Sequence, residues 1–260
     1  MKDLMASVVG LALFVWGCGA SDSSDGERLP GAGGVGGSSG TGGGLIPDRC
    51  KGDASKVIMV GDSYLALSGD ITRFLTQYSG QTYRTYYVSG TQLVGGIPPA
   101  IPDQARQGIA AGPTQTVIMD GGGNDVLIGD ASCKTAPLGT QCKTTVQNTL
   151  NAAKAMMEEG ASKGVKEVIY FFYPHLPGTN PVFAPETLNQ TLDYAAPLAR
   201  DACENSTALD CSFIDTRQPF EGHADYIGSD GIHPTAAGSE VIAKLIWAVM
   251  QQNCQTGVRP

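Results

Sequence analysis

The stretch VIMVGDSYLALSG, residues 57–69, opens on four apolar residues and stops at Gly61-Asp62-Ser63. Two readings compete there. Asp62 or Ser63 can simply cap a helix that follows a strand. Alternatively, Ser63 is a nucleophile held at the C-terminal edge of a sheet. A serine hydroxyl attacks a carbonyl only when a base takes its proton, and histidine is the usual base. The chain offers His175, His223 and His233. In SDGIHPTAAG, Asp230 stands three residues before His233. On a tight turn that carboxylate can meet the imidazole, fix its tautomer and stabilise the cation formed during attack. His175, in YPHLPG, has no acid close by in the sequence, whereas His223, in EGHADY, lies between Glu221 and Asp225 and is the rival base.

Acyl transfer also needs donors for the oxyanion, usually the largest catalytic contribution. MDGGGNDVLIG, residues 119–129, ends an apolar run with glycines and Asn124, whose carboxamide can donate. Gly90, in YYVSGTQL, offers a backbone N–H where another apolar run ends. GGGNDVLIG also matches one nonapeptide of a calcium-binding repeat, but that architecture needs stacked copies and this one stands alone. GASKG (160–164) and GGSSG (36–40) match a nucleophile-elbow pattern formally. The elbow must join a strand to a helix, and neither segment does.

The elements that must position these residues follow from periodicity. Apolar runs at 56–60, 82–88, 115–120, 167–173 and 211–215 read as strands. Helical spacing marks 145–164, 187–204 with a kink expected at Pro197, and 235–253 opened by Pro234. Strands alternating with helices, several of them continuously apolar, argue a parallel sheet covered on both faces. Ligands then bind at the C-terminal strand ends, where Ser63 lies.

GDSY at 61–64, Gly90, GGND at 122–125 and DGIHP at 230–234, in this order, resemble the four blocks of the SGNH (GDSL-like) hydrolase family. The resemblance implies a three-layer α/β/α, flavodoxin-like sandwich around a mainly parallel five-stranded sheet. It implies Ser63 as nucleophile, His233 as general base and acid, and Asp230 as the group orienting His233. The Ser63 N–H, the Gly90 N–H and the Asn124 side chain would form the oxyanion hole. The family's usual leucine after the serine is Tyr64 here.

The rest of the chain bears on location and substrate. Lys2 and the apolar run from Leu4 to Trp16, too short to span a bilayer comfortably, read as a signal peptide over 1–17. Val15-Trp16-Gly17-Cys18 resembles a bacterial lipoprotein signal, in which Cys18 carries the lipid. Residues 18–44 are a Gly/Ser-rich tether, and the catalytic domain is expected over 45–260. The six remaining cysteines suit disulfides in an exported protein. A nested pairing, Cys133–Cys142, Cys203–Cys211 and Cys50–Cys254, closes two short loops and joins the domain's ends. No spacing points to zinc, so neither metal nor cofactor is expected.

With 42% hydrophobic and 16% charged residues the chain is globular, and a formal charge of −8 argues against nucleic acid. Neutral residues are expected around Ser63: Tyr64, Leu65, Val94, the 95–102 loop, Leu127, Ile128 and Leu176. Such a site suits a neutral ester, hydrolysed through an acyl-enzyme by a monomeric extracytoplasmic protein, either held at the cell envelope or surface as a lipoprotein or secreted. Alternatives are a carbohydrate O-deacetylase, a lysophospholipase or thioesterase, and a surface-binding lipoprotein that keeps the fold without catalysis.

Overall fold

The computed structural model describes residues 53–178 and 184–252. The signal segment, Cys18, the tether and the Cys50–Cys254 pair lie outside the described residues. Five strands form one sheet: β1 (Val57–Val60), β2 (Arg84–Thr85), β3 (Thr116–Met119), β4 (Glu167–Phe171) and β5 (Asp210–Ile214). Their order is β2-β1-β3-β4-β5 and every neighbouring pair is parallel. β1, β3 and β4 are buried at every position, as a sheet covered on both faces requires.

The helices are α1 (Ser63–Ala66), α2 (Asp70–Ser79), α3 (Ile101–Ala110), α4 (Gly123–Leu127), α5 (Thr140–Ser162), α6 (Pro185–Glu204), α7 (Arg217–Phe220) and α8 (Ala236–Gln252). α2 packs on α8 over one face, while α3, α5 and α6 pack side by side over the other. The result is the expected α/β/α sandwich. The chain steps outward from β1 to β2 and then crosses back past β1 to β3, so the strand order reverses there and a crevice opens between the ends of β1 and β3.

Several boundaries differ from the expectation. The run 82–88 pairs regularly only at Arg84–Thr85, although the N–H groups of Tyr86 and Val88 still donate to Met59 O and Gly61 O at 2.8 and 3.1 Å. An edge position lets this segment leave the regular ladder after two register pairs. α5 begins at Thr140, ahead of its apolar periodicity. Pro197 lies inside α6 without ending it. α3 begins at Ile101, inside a proline-rich segment that reads as loop, because Pro102 falls in the first turn, where its missing N–H costs nothing. Disulfides join Cys133 to Cys142 at the start of α5, and Cys203 at the end of α6 to Cys211 in β5.

The turn that ends β1 rests on β3. The Asp62 N–H donates to Asp120 Oδ1 at 2.7 Å, and the Gly61 N–H to Gln104 Oε1 at 2.8 Å. Gly61 has φ +149°, and a Cβ there would stand 1.5 Å from Asp120 Oδ1, so only glycine fits. Asp62 and Asp120 are both buried. Burial first, and then the neighbouring charge of Asp62, push the Asp120 carboxyl well above the usual carboxylate range. Its Oδ2 has no hydrogen-bond partner among the described residues, so a charge there would go uncompensated. Asp120 is the neutral acid of the pair.

A proton retained by folded Asp120 but released by the unfolded chain above about pH 4 makes stability fall as pH rises. Asp120→Asn keeps an oxygen for the Asp62 N–H and has no proton to lose. In urea unfolding, this variant should gain stability relative to wild type between pH 5 and pH 8. A relative loss over that interval would mean that Asp120 is charged in the folded protein.

Candidate active site

Ser63 opens α1, one residue beyond the turn, and both readings of Gly61-Asp62-Ser63 hold in part. Asp62 is the N-cap, its Oδ1 accepting the Tyr64 N–H at 3.1 Å. Capping aims the Asp62 side chain inward and leaves the Ser63 hydroxyl facing the crevice. Ser63 Oγ lies 2.8 Å from His233 Nε2, and His233 Nδ1 lies 2.6 Å from Asp230 Oδ2. With Nδ1 protonated, the imidazole donates to Asp230 and accepts from Ser63, an unbroken relay across 170 residues of sequence.

Asp230 shapes its own loop. Its Oδ1 accepts the N–H groups of Ile232 and His233 at 2.9 and 3.0 Å. Partial burial pushes the carboxyl up, but these hydrogen bonds, the ring N–H and the His233 charge outweigh it and hold the group below the usual range. Three residues are therefore enough to supply both the acid and the turn that presents it.

Asn124 sits in the first turn of α4. Its Nδ2 donates to Thr91 O at 3.0 Å, which leaves the second amide hydrogen for a ligand. Buried polar contacts fix the segment around Thr91. Gln104 Nε2 donates to Thr91 Oγ1 at 3.0 Å, Gln92 Nε2 donates to Asn124 O at 2.8 Å, and the Asp125 carboxylate accepts the N–H groups of Leu93 and Val94 at 2.9 and 2.8 Å. Gly90, at φ +80°, immediately precedes this clamp. It does not line the cavity described next.

That cavity, of about 80 Å3, is lined by Ser63 and Asn124 and runs between α4, α5 and α6. Val126, Leu127, Leu150, Leu188 and Leu192 make it apolar. Of the surround expected from sequence, Tyr64, Leu127 and Leu176 line it. Leu65 is instead core, and Val94, Ile97 of the 95–102 loop and Ile128 are exposed. Leu127 and Ile128 are consecutive at the end of α4, so they cannot share one face.

Tyr64, expected only as a neutral neighbour of Ser63 in place of the family's leucine, and Tyr173, which the sequence did not single out, join the parts. Tyr64 Oη donates to Ile232 O at 2.6 Å, one residue before His233. Tyr173 Oη donates to Asp62 Oδ2 at 2.6 Å, and the two rings meet edge to face with centroids 4.9 Å apart. Burial, reinforced by the charge of Asp62, raises both phenols well above their ordinary range, so they stay donors. The tyrosine in place of leucine thus ties the serine turn to the histidine loop.

The other histidines are elsewhere. His223 stacks on Tyr226 at 4.4 Å and lies 3.9 Å from Asp225, with no contact to Ser63. His175, which has no acid near it in sequence, is paired in space with Asp193 of α6 at 2.8 Å. Among the described residues, no group of three or more His, Cys, Asp or Glu side chains is placed to hold a metal ion, and no helix is long and apolar enough to cross a membrane.

The model of the GDSL-like Lipase/Acylhydrolase family matches residues 33–241. No curated protein matches the chain. Among solved structures, a catalytic mutant of Axe2, an acetylxylan esterase from Geobacillus stearothermophilus, is 15% identical with a TM-score of 0.55, covering 80% of this chain and 99% of that one. The lipase Lip_vut3 from goat rumen metagenome is 16% identical with a TM-score of 0.53, covering 77% of this chain and 97% of its own. A carbohydrate esterase family 3 protein from Talaromyces cellulolyticus is 16% identical with a TM-score of 0.50, covering 78% and 99%. At such identities the likeness is one of fold. The family model, in contrast, spans most of the sequence, including the segments of Ser63, Gly90, Asn124 and His233, and the chain belongs to the GDSL-like lipase/acylhydrolase (SGNH) family.

Proposed function

We propose that the protein is an exported serine esterase that hydrolyses short-chain carboxylic esters through an acyl-enzyme. The observation that carries this reading is the unbroken Ser63–His233–Asp230 contact, with Ser63 and Asn124 lining the same apolar cavity. His233 Nε2 takes the Ser63 proton as Oγ attacks the ester carbonyl, and Asp230 stabilises the imidazolium. The Ser63 N–H, at the first turn of a helix, has no intrahelical acceptor and is available to the oxyanion. The free hydrogen of Asn124 Nδ2 and the Gly90 N–H are the other donors. His233 then protonates the departing alcohol oxygen, and water, deprotonated by the same imidazole, releases the acid from Ser63.

The cavity sets the acyl group. About 80 Å3 is roughly half the ~150 Å3 apolar cavity that accommodates benzene, so an acyl chain of about two to four carbons fits. The names acetylxylan esterase and acetyl esterase among similar structures accord with a small acyl group. Two disulfides support an oxidising compartment, and the lipoprotein-type leader supports anchoring at the envelope through Cys18, ahead of a tether over 18–44 and a catalytic domain over 45–260.

Ser63→Ala should fold and lose nearly all turnover. Asn124→Ala should lower kcat about 10²–10³-fold with little change in KM, because its donation strengthens in the transition state. Undiminished turnover in either variant would remove that residue from the mechanism. On p-nitrophenyl esters, kcat/KM should peak between acetate and butyrate and fall by octanoate; a peak at octanoate or beyond would contradict the acyl assignment.

Tyr64 is a positioning residue, and its loss should read in kcat. Tyr64→Phe leaves Ile232 O without its donor and loosens His233, lowering kcat about tenfold at unchanged KM. Tyr64→Leu, which also removes the ring contact with Tyr173, should be lower still. Equal kcat in wild type and Tyr64→Phe would show that the loop holds His233 without the tyrosine.

A further inference from the structure

One polar side chain of α3 is fully buried. Gln104 lies with Ile101, Ala105 and Gly108 among the buried residues of that helix and has no exposed surface. Burying a carboxamide costs free energy unless both of its ends are paired, and here they are. Gln104 Oε1 accepts the Gly61 N–H at 2.8 Å, and Nε2 donates to Thr91 Oγ1 at 3.0 Å. Thr91 Oγ1 already accepts from Gln104, so its own hydrogen goes to backbone carbonyls, Gly61 O at 3.1 Å and Val88 O at 2.8 Å. The path leaves Gly61 by its N–H and returns by its C=O. It closes a ring of three hydrogen bonds through Gly61, Gln104 and Thr91.

Resting on the esterase reading above, we propose that Gln104 is a positioning residue that sets the spacing of the oxyanion hole. Gly61 stands two residues before Ser63, whose N–H is one donor. Thr91 follows Gly90, the second donor, and Thr91 O accepts Asn124 Nδ2 at 3.0 Å, which orients the third. The ring therefore runs from the nucleophile's turn to the segment that sets the other two donors. A carboxamide suits this place because one end must accept from an N–H while the other donates to a hydroxyl. Oxyanion donors act through their placement, and an error of about 1 Å costs roughly 10²-fold in rate.

Gln104→Met keeps the length of the side chain and loses both hydrogen bonds. On p-nitrophenyl acetate it should lower kcat about tenfold or more at nearly unchanged KM. Combining it with Asn124→Ala separates positioning from a general loss of stability. A side chain that acts by holding the oxyanion donors matters less once one of those donors is gone. The loss in the double variant should therefore fall about threefold or more short of the product of the two single losses. Losses that multiply would place Gln104 outside the oxyanion machinery and overturn the proposal.

Gln104→Glu keeps the proposal testable if the methionine variant does not fold, and it adds a pH readout. Protonated, the introduced carboxyl accepts at one oxygen and donates from the other, so the ring closes; ionised, it cannot donate to Thr91. Burial raises the pKa of such a carboxyl. The ratio of this variant's kcat to that of wild type should fall about tenfold between about pH 5.5 and pH 8.5, with folding checked by circular dichroism at both ends. Asp62 and Asp120 beside Gly61, Asp125 beneath Leu93 and Val94, the Asp103–Arg106 pair of α3 and His233 are common to both proteins, so the ratio isolates the new group. A ratio that does not change with pH would overturn the proposal. Failure of the esterase reading is a separate result, in which Ser63→Ala would retain hydrolysis of p-nitrophenyl acetate.

Discussion

The site depends on one constraint of the sheet. The chain runs outward from β1 to β2 and returns past β1 to β3, so the ends of β1 and β3 border a crevice where the strand order reverses. The chain must turn sharply at each of those ends without filling the crevice. Gly61, whose Cβ position is already taken by Asp120, makes the first turn possible, and Asp62 spends its backbone N–H and its side chain on holding it. Ser63 is the first residue after this bracing whose side chain is left for a ligand. Every other part of the site is arranged around that fixed point.

Two polar networks, one on each flank, translate the constraint into geometry. On the β3 side, Gln104 and Thr91 stitch the Gly61 turn to the loop that follows β2, and Thr91 O orients Asn124. On the histidine side, Tyr64 and Tyr173 link Asp62 and Ile232 through a shared edge-to-face contact. Buried networks of this kind are stabilising only when nearly all their members are satisfied, which makes them stiff. Stiffness is what a relay with a 2.8 Å contact between residues 170 apart in sequence requires.

Much of this was legible in the sequence, for reasons that can be stated residue by residue. Asp230 and His233 are three apart, so the acid–base pair is a local feature. Asn124 follows glycines at the end of a buried strand, and the parallel sheet follows from apolar runs alternating with helices. What was hidden depends on tertiary contacts. Asp120 reads as the polar end of a strand until Gly61 is seen against it, and Tyr64 reads as a neutral neighbour of Ser63 and a departure from the family's leucine, with nothing to show the loop it holds. His175 and Asp193 lie on different elements, so no spacing could pair them. β2 is shorter than its aromatic content implies because it is an edge, and α3 is masked by the prolines before it.

The central claim is that the Ser63 hydroxyl, activated by His233, is the nucleophile. Labelling with a fluorophosphonate followed by peptide mass spectrometry tests it most directly, because the reagent reports a reactive serine without any choice of substrate. The account predicts one adduct per chain, on Ser63, with ester hydrolysis lost in proportion to labelling and no adduct in His233→Ala. An adduct on a different serine, or full hydrolytic activity in the fully labelled protein, would contradict it.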